Sequence, residues 1–208
     1  MPTPSSSNHL FVVSAPSGAG KTSLVKALVH RLPALKVSTS HTTRARRPNE
    51  EDGREYFFID REAFDRMVGE GAFLEHARVF DNFYGTGLRQ LEEKLAAGHD
   101  VVLEIDWQGA QQIRRAMPQV QSIFILPPSR TELERRLRDR RTDSDEVIAR
   151  RLRDSIADMS HWNEFDYVVV NDGFERAVSD LQAIIDGAGE QLRRDRFELR
   201  TLIGSLLG

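Results

Sequence analysis

Leu10-Phe11-Val12-Val13-Ser14-Ala15-Pro16-Ser17-Gly18-Ala19-Gly20-Lys21-Thr22 decides the fold. An apolar run, a glycine-rich turn and Lys-Thr opening an amphipathic stretch read as strand, phosphate-binding loop and helix. Glycine lets backbone N–H groups approach an anion, and the following helix presents its positive end to the same anion. Lys21 offers a point charge for β- and γ-phosphates, and the Thr22 hydroxyl suits Mg²⁺. The general spacing GxxxxGK[ST] has a glycine where this chain has Ala15, whereas Gly18, Gly20, Lys21 and Thr22 keep their places. A glycine-rich turn before a surface helix would explain neither the Lys-Thr pair nor the apolar run.

Outward from this loop, short apolar runs alternate with longer amphipathic stretches, as in a parallel sheet joined by crossover helices. The predicted class is α/β, a three-layer P-loop fold around a central parallel sheet. Strands are expected at Leu10–Ser14, 35–40, 56–59, 72–80, 122–126 and Tyr167–Val170. A further strand at 101–106 reads as central and buried, delivering the carboxylate of Asp106 to the ligand-binding edge of the sheet. Helices are expected at Lys21–Arg31, 61–69, 88–97, 131–139, 145–162 and from Phe174 to about Arg196, with a loop over 41–54.

Composition narrows the function. A length of 208 residues fits one α/β domain with insertions. The net charge of −3 argues against a constitutive nucleic-acid binder. The absence of cysteine excludes disulfides, thiolate catalysis and Cys-ligated zinc. Six scattered histidines disfavour a His-ligated metal site. No apolar run approaches the roughly 18 residues of a membrane span. Residues 1–8 are polar and lack an apolar core, so they read as a disordered lead-in rather than a signal peptide. A cytoplasmic protein with neither membrane nor nucleic-acid partners is expected.

Four groups of residues carry chemistry. The loop from Ser40 to Pro48 holds Arg44, Arg46 and Arg47, and guanidinium groups bind phosphate through paired N–H donors, although such loops are also common solvated surface. Glu75, with Tyr84-Gly85-Thr86, is a second group. A carboxylate accepts from both the N1–H and the exocyclic amine of guanine, and hydroxyls of Ser40 and Thr86 suit the O6 and N7 side. A lone Glu on a half-exposed strand is otherwise an ordinary surface residue. Third, Asp106 suits a Mg²⁺ shell or a substrate amine, and also suits the N-cap of the next helix. Fourth, the stretch 130–154 carries nine arginines against seven acids, and an arginine at its turn is placed to close over a triphosphate. Most of those arginines read as a salt-bridged outer face.

Taken together, these residues resemble the bacterial-type guanylate kinases, which move the γ-phosphoryl of ATP to GMP. The resemblance spans the chain from about His9 to the last predicted helix. It rests on SAPSGAGKT (14–22), STSHTTRARRP (38–48), DGREYFF (52–58), FLEHARVFDNFYGT (73–86), LEIDWQG (103–109), ILPPS (125–129) and VVVND (168–172). The family tolerates Ala15. The resemblance implies a P-loop core over 9–38, 90–127 and 154–208, a GMP-binding insert over 39–89 and a helical lid over 128–153. It implies that Ser40, Glu75, Thr86 and Asp106 read guanine, and that Arg44, Arg47, Tyr56 and Tyr84 bind the GMP phosphate. Ala15, Pro16, Ser17, Gly18, Ala19, Gly20, Lys21, Thr22 and Ser23 would hold ATP, with Thr22 on Mg²⁺ and Asn171 near the adenine. Lys21, Arg44, the lid arginines Arg136 and Arg140, and Arg151 would act on the transferring phosphoryl group. Thr86 stands where many relatives carry Ser, Glu104 where some carry Asp, and His41 falls at a variable place without a role.

The implied mechanism is direct in-line transfer, with no covalent intermediate and no dedicated side-chain base. Closure of the two inserts would exclude water. The GMP phosphate is itself the nucleophile, and the sequence leaves dGMP open as a second acceptor, since no residue is assigned to the ribose 2′-OH. Two alternatives stand beside this reading. One is a related kinase for another small phosphorylated acceptor, which has no need of the guanine set. The other is a non-catalytic binding module, which would carry a degenerate P-loop. The apolar residues within 197–208 are expected to pack on the domain or on a second subunit of a homo-oligomer.

Overall fold

The computed structural model describes residues 8–79, 81–139 and 145–208, so the lead-in over 1–7 and the lid position Arg140 lie outside the described residues. In chain order the elements begin with β1 (Leu10–Ser14), α1 (Lys21–Arg31), β2 (Leu35–Val37), β3 (His41–Thr42), β4 (Phe57–Phe58) and α2 (Arg61–Gly69). They continue with β5 (Phe73–Val79), β6 (Asn82–Gly87), α3 (Leu88–Ala96), β7 (Asp100–Glu104), α4 (Trp107–Ala116) and β8 (Gln121–Leu126). The last are α5 (Arg130–Arg138), α6 (Asp145–Met159), β9 (Tyr167–Val170), α7 (Phe174–Ile185) and α8 (Leu199–Leu207). One sheet has the strand order β2-β7-β1-β8-β9, and a second has the order β4-β3-β6-β5. The chain forms two compact units, Met1–Val12 with Leu32–Val120, and Val13–Arg31 with Gln121–Gly208.

In the first unit, β2 runs parallel to β7 in the register Leu35↔Asp100. β7 is buried at Val101, Val102 and Leu103, as its nearly continuous apolar run requires. The second sheet belongs wholly to this unit. β3 lies parallel to β4 and antiparallel to β6, and β5 closes the sheet against β6. Phe64 of α2 is buried against Phe73 of β5 and Phe83 of β6, with ring centroids 4.8 and 5.6 Å apart. Asp60 caps α2 by accepting from the Ala63 N–H at 2.7 Å.

In the second unit, β8 and β9 pair in parallel from Ile123↔Tyr167 to Leu126↔Val170. The first helix buries Leu24, Val25 and Leu28, and Arg31 near its end pairs with Glu175 of α7. Ser129 caps α5, its hydroxyl accepting from the Glu132 N–H at 3.1 Å. Leu199 and Leu206 of α8 are buried, so part of the apolar tail packs on the chain itself.

Four expectations need correction. The strand expected over 35–40 stops at Val37, and the loop expected over 41–54 contains β3. Asn82–Gly87, read as part of a motif but not as a strand, is β6. The helix expected to run to about Arg196 ends at Ile185, where Gly187 takes a φ of 75° and its N–H returns to the Ile184 carbonyl.

Candidate active site

The glycine-rich loop before α1 is held by distant parts of the second unit. Gly20, at φ 97°, sits where an added Cβ would come within 2.6 Å of Asn171 Nδ2. Any side chain there meets both backbone strain and a clash. Asn171, buried just past the end of β9, donates from Nδ2 to the Ala19 carbonyl at 2.8 Å. Arg136 of α5 donates to that same carbonyl at 3.4 Å and to the Asn171 carbonyl at 2.9 Å. The guanidinium is braced by Glu132 at 2.7 Å. Hydrogen bonds from Arg135 and Arg136 draw the Glu132 carboxyl down to about 2, so it stays ionised. Ser155 of α6 donates to the Ser17 carbonyl at 3.1 Å. Lys21 and Thr22 open α1, whose first turn holds no acid. The helix end therefore keeps its positive character toward an anion.

The guanine and acceptor-phosphate candidates gather in the first unit. β5 and β6 pair Glu75 directly with Thr86, which puts both side chains on one face. Glu75 is 3% exposed, and Thr86 Oγ1 donates to its Oε1 at 2.6 Å. A buried carboxylate is costly unless hydrogen-bonded. Ser40 is also buried, and its carbonyl accepts from the Phe57 N–H at 2.9 Å. Asp106 is the N-cap of α4, its Oδ1 accepting from the Gly109 N–H at 2.9 Å. That is the capping role foreseen beside its ligand role.

Arg44, Tyr56 and Tyr84 form one cluster. The Arg44 guanidinium lies 5.5 Å from the centre of the Tyr56 ring, and the two tyrosine rings meet edge to face at 5.8 Å. Glu50, to which sequence reasoning gave no role, holds Arg44 at 2.7 Å and accepts from the Arg47 N–H at 2.8 Å. Burial pushes the Glu50 carboxyl up, but hydrogen bonds from Arg44 and Arg47 and their charges bring it below its ordinary value. The Arg47 side chain stays exposed. Nothing but its place in the loop, three residues after Arg47, marked Glu50 beforehand.

Burial pushes the Tyr56 phenol up to about 12, aided by the charge of Glu104 at the end of β7. Tyr56 is thus held as a neutral hydroxyl donor, and Glu104 acquires an electrostatic role. A raised phenol contributes stability that is present below its unfolded value of 10.0 and lost as pH rises toward about 12. Followed by phenolate absorbance, Tyr56 is expected to add a late component to the titration. Tyr56→Phe should remove that late component, and its persistence in the variant would refute the assignment.

His41 has a structural place after all. Its ring stacks on Phe57 at 4.9 Å and meets Phe73 edge-on at 5.4 Å. Burial lowers its pKa, against the opposing pull of the Gly85 backbone and Asp52. Arg151 stands half-buried on α6. Among the described residues no cluster of three or more His, Cys, Asp or Glu suits a metal ion, and no helix is long and apolar enough to cross a membrane.

Residues 7–188 match the family model described as Guanylate kinase. The chain is 55% identical over 199 residues to the guanylate kinase of Methylococcus capsulatus, spanning 96% of this chain and 98% of that one. It is 54% identical over 200 residues to the guanylate kinase of Salmonella typhimurium, spanning 95% and 97%. The crystal structure of guanylate kinase from Anaplasma phagocytophilum aligns with a TM-score of 0.73 at 36% identity, over 95% of this chain and 94% of that one.

Proposed function

Because the chain belongs to the guanylate kinase family, we propose that the P-loop unit takes the ATP phosphates and the Glu75 unit takes GMP. The activity follows from the family: the chain is an ATP:GMP phosphotransferase, yielding ADP and GDP. The division of labour is our reading, and the observation that carries it is Glu75. Its buried carboxylate, with one oxygen held by Thr86, matches a guanine edge that presents two donors. An adenine edge has no such pair.

In this reading Ser40 and Asp106 complete the base site. Arg44 and Arg47 hold the acceptor phosphate, with hydroxyls from Tyr56 and Tyr84. Glu50 preorganises Arg44 before the substrate arrives, so less side-chain freedom is lost on binding. On the donor side, the loop amides and Lys21 cradle the ATP phosphates, while Arg136 and Arg151 neutralise the moving charge. Arg136 is already braced by Glu132. Asn171 is committed to the Ala19 carbonyl, which favours a loop-holding role beside the adenine role implied by its position.

The donor set fits Mg²⁺. The exposed hydroxyl of Thr22 is a hard oxygen, and Mg²⁺ usually takes one or two protein oxygens with phosphate oxygens and water. When bound, the ion would offset charge on the β- and γ-phosphates. The acceptor phosphate oxygen needs no base, so the residues orient, neutralise and exclude water. The domain division implied by the resemblance and a cytoplasmic setting belong to the same proposal.

The direct test is ADP formation from ATP and Mg²⁺ with GMP, dGMP, AMP, UMP or CMP. Turnover confined to the guanine nucleotides is expected. Comparable turnover with AMP would overturn the reading of Glu75.

A further inference from the structure

Asp106, Gly109 and Gln112 lie at three-residue intervals on α4 and its N-cap, so they share one face. Each makes a distinct contact in the neighbourhood of Glu75. We propose that this face is a template for Glu75, with Gly109 and Gln112 acting as positioning residues for guanine recognition. The inference rests on the reading of Glu75 given above.

Gly109 provides room. A Cβ at this position would lie 2.4 Å from Glu75 Oε2 and 3.1 Å from Glu75 Cδ. Glycine is a poor helix former. Gly109 lies inside a regular helix and is not among the glycines with positive φ, so no backbone conformation demands it. What its missing side chain provides is space for the carboxylate. The two oxygens of Glu75 are then bounded differently. Thr86 donates to Oε1 at 2.6 Å, and Oε2 lies over the notch. The Gly109 N–H also holds Asp106 Oδ1, which sits 3.3 Å from the same hypothetical Cβ. The notch thus brings two acidic groups together.

Gln112 fixes the strand that carries the carboxylate. β5 is an edge strand, so one row of its backbone groups lacks a strand partner. At His76, the residue after Glu75, a single side chain fills that gap. Gln112 Oε1 accepts from the His76 N–H at 3.2 Å, and Gln112 Nε2 donates to the His76 carbonyl at 2.8 Å. A primary amide carries a donor and an acceptor side by side, as a peptide group does. It therefore stands in for one residue of a neighbouring strand. With the backbone pinned at His76 and the carboxylate seated over Gly109, little freedom is left to Glu75.

The test is a kinetic cycle on the full chain with GMP and ATP varied separately. Gly109→Ala is expected to raise KM for GMP by roughly tenfold or more, since small misplacements of a positioning group carry large costs. KM for ATP should change by less than about twofold, the scale of independent sites. In a Glu75→Ala background the carboxylate is gone, so Gly109→Ala should add less than about twofold. Gln112→Met keeps the length and removes the clamp, and is expected to raise KM for GMP in the same selective way. It serves as the second probe if Gly109→Ala fails to fold by circular dichroism. Equal losses for GMP and ATP, or full additivity with Glu75→Ala, would show that α4 is merely structural and would overturn the proposal. If Glu75→Ala alone leaves KM for GMP unchanged, the guanine reading itself fails, a result distinct from the other two.

Discussion

Lys21→Ala lowers turnover of GMP and ATP by at least ~10²-fold, the usual loss when one preorganised electrostatic donor is removed. Lys21 is the first residue of α1, at the mouth of the loop that Asn171 and Arg136 hold in place. Its charge has no substitute within the first turn of the helix, which contains no other basic residue. Stability should behave differently. A cation at a helix N-terminus opposes the helix dipole by about 0.3–1 kcal/mol, so removing it should cost the fold little. Activity falls while the thermal midpoint stays nearly constant. Near-normal turnover in the variant would remove Lys21 from the mechanism.

Glu75→Gln separates the two substrates. The substitution keeps the volume of the side chain and replaces one acceptor oxygen with an amide nitrogen that can only donate. On the proposed reading one guanine donor then faces another donor, at a cost of roughly 1–3 kcal/mol, or about fivefold to 160-fold in KM for GMP. KM for ATP should scarcely move. The apo protein should be as stable as the parent or more so, because a neutral amide is less costly to bury than a carboxylate. Steady-state kinetics beside a thermal melt check both halves. An equal loss for GMP and ATP would make Glu75 a structural residue.

Much of this architecture was legible in the residues. Leu10–Ser14, Lys21–Arg31, Arg61–Gly69 and Tyr167–Val170 fall where apolar period and capping predict. These elements bury a face of their own, so their period survives in the sequence. β6 escaped because Asn82-Phe83-Tyr84-Gly85-Thr86-Gly87 holds two glycines and little alternation. Its pairing with β5 is set across the sheet rather than by propensity. β3 is two residues long and exists through its partners on both sides.

The site divides in the same way. The P-loop is a local signal, and Lys21 and Thr22 needed no tertiary information. Glu75 and Thr86 are eleven residues apart, and the strand register that joins them is invisible without the fold. Glu50 and Gln112 carried no motif of their own. Each matters through a partner: Arg44 and the Arg47 backbone for the first, the two peptide groups of His76 for the second. His41 looked like loop and proved to be buried among aromatic rings.

The bond from Asn171 to the Ala19 carbonyl joins residues 152 positions apart, and this has a consequence for biosynthesis. A ribosome finishes the glycine-rich loop early, but one of the residues that fasten its backbone emerges near the end of translation. A nascent chain ending before β9 therefore carries the loop with Arg136 and Ser155 already made but without the bond from Asn171. Such a chain should hold ATP more weakly than the complete protein, with full donor-nucleotide affinity arising only once Asn171 has left the exit tunnel.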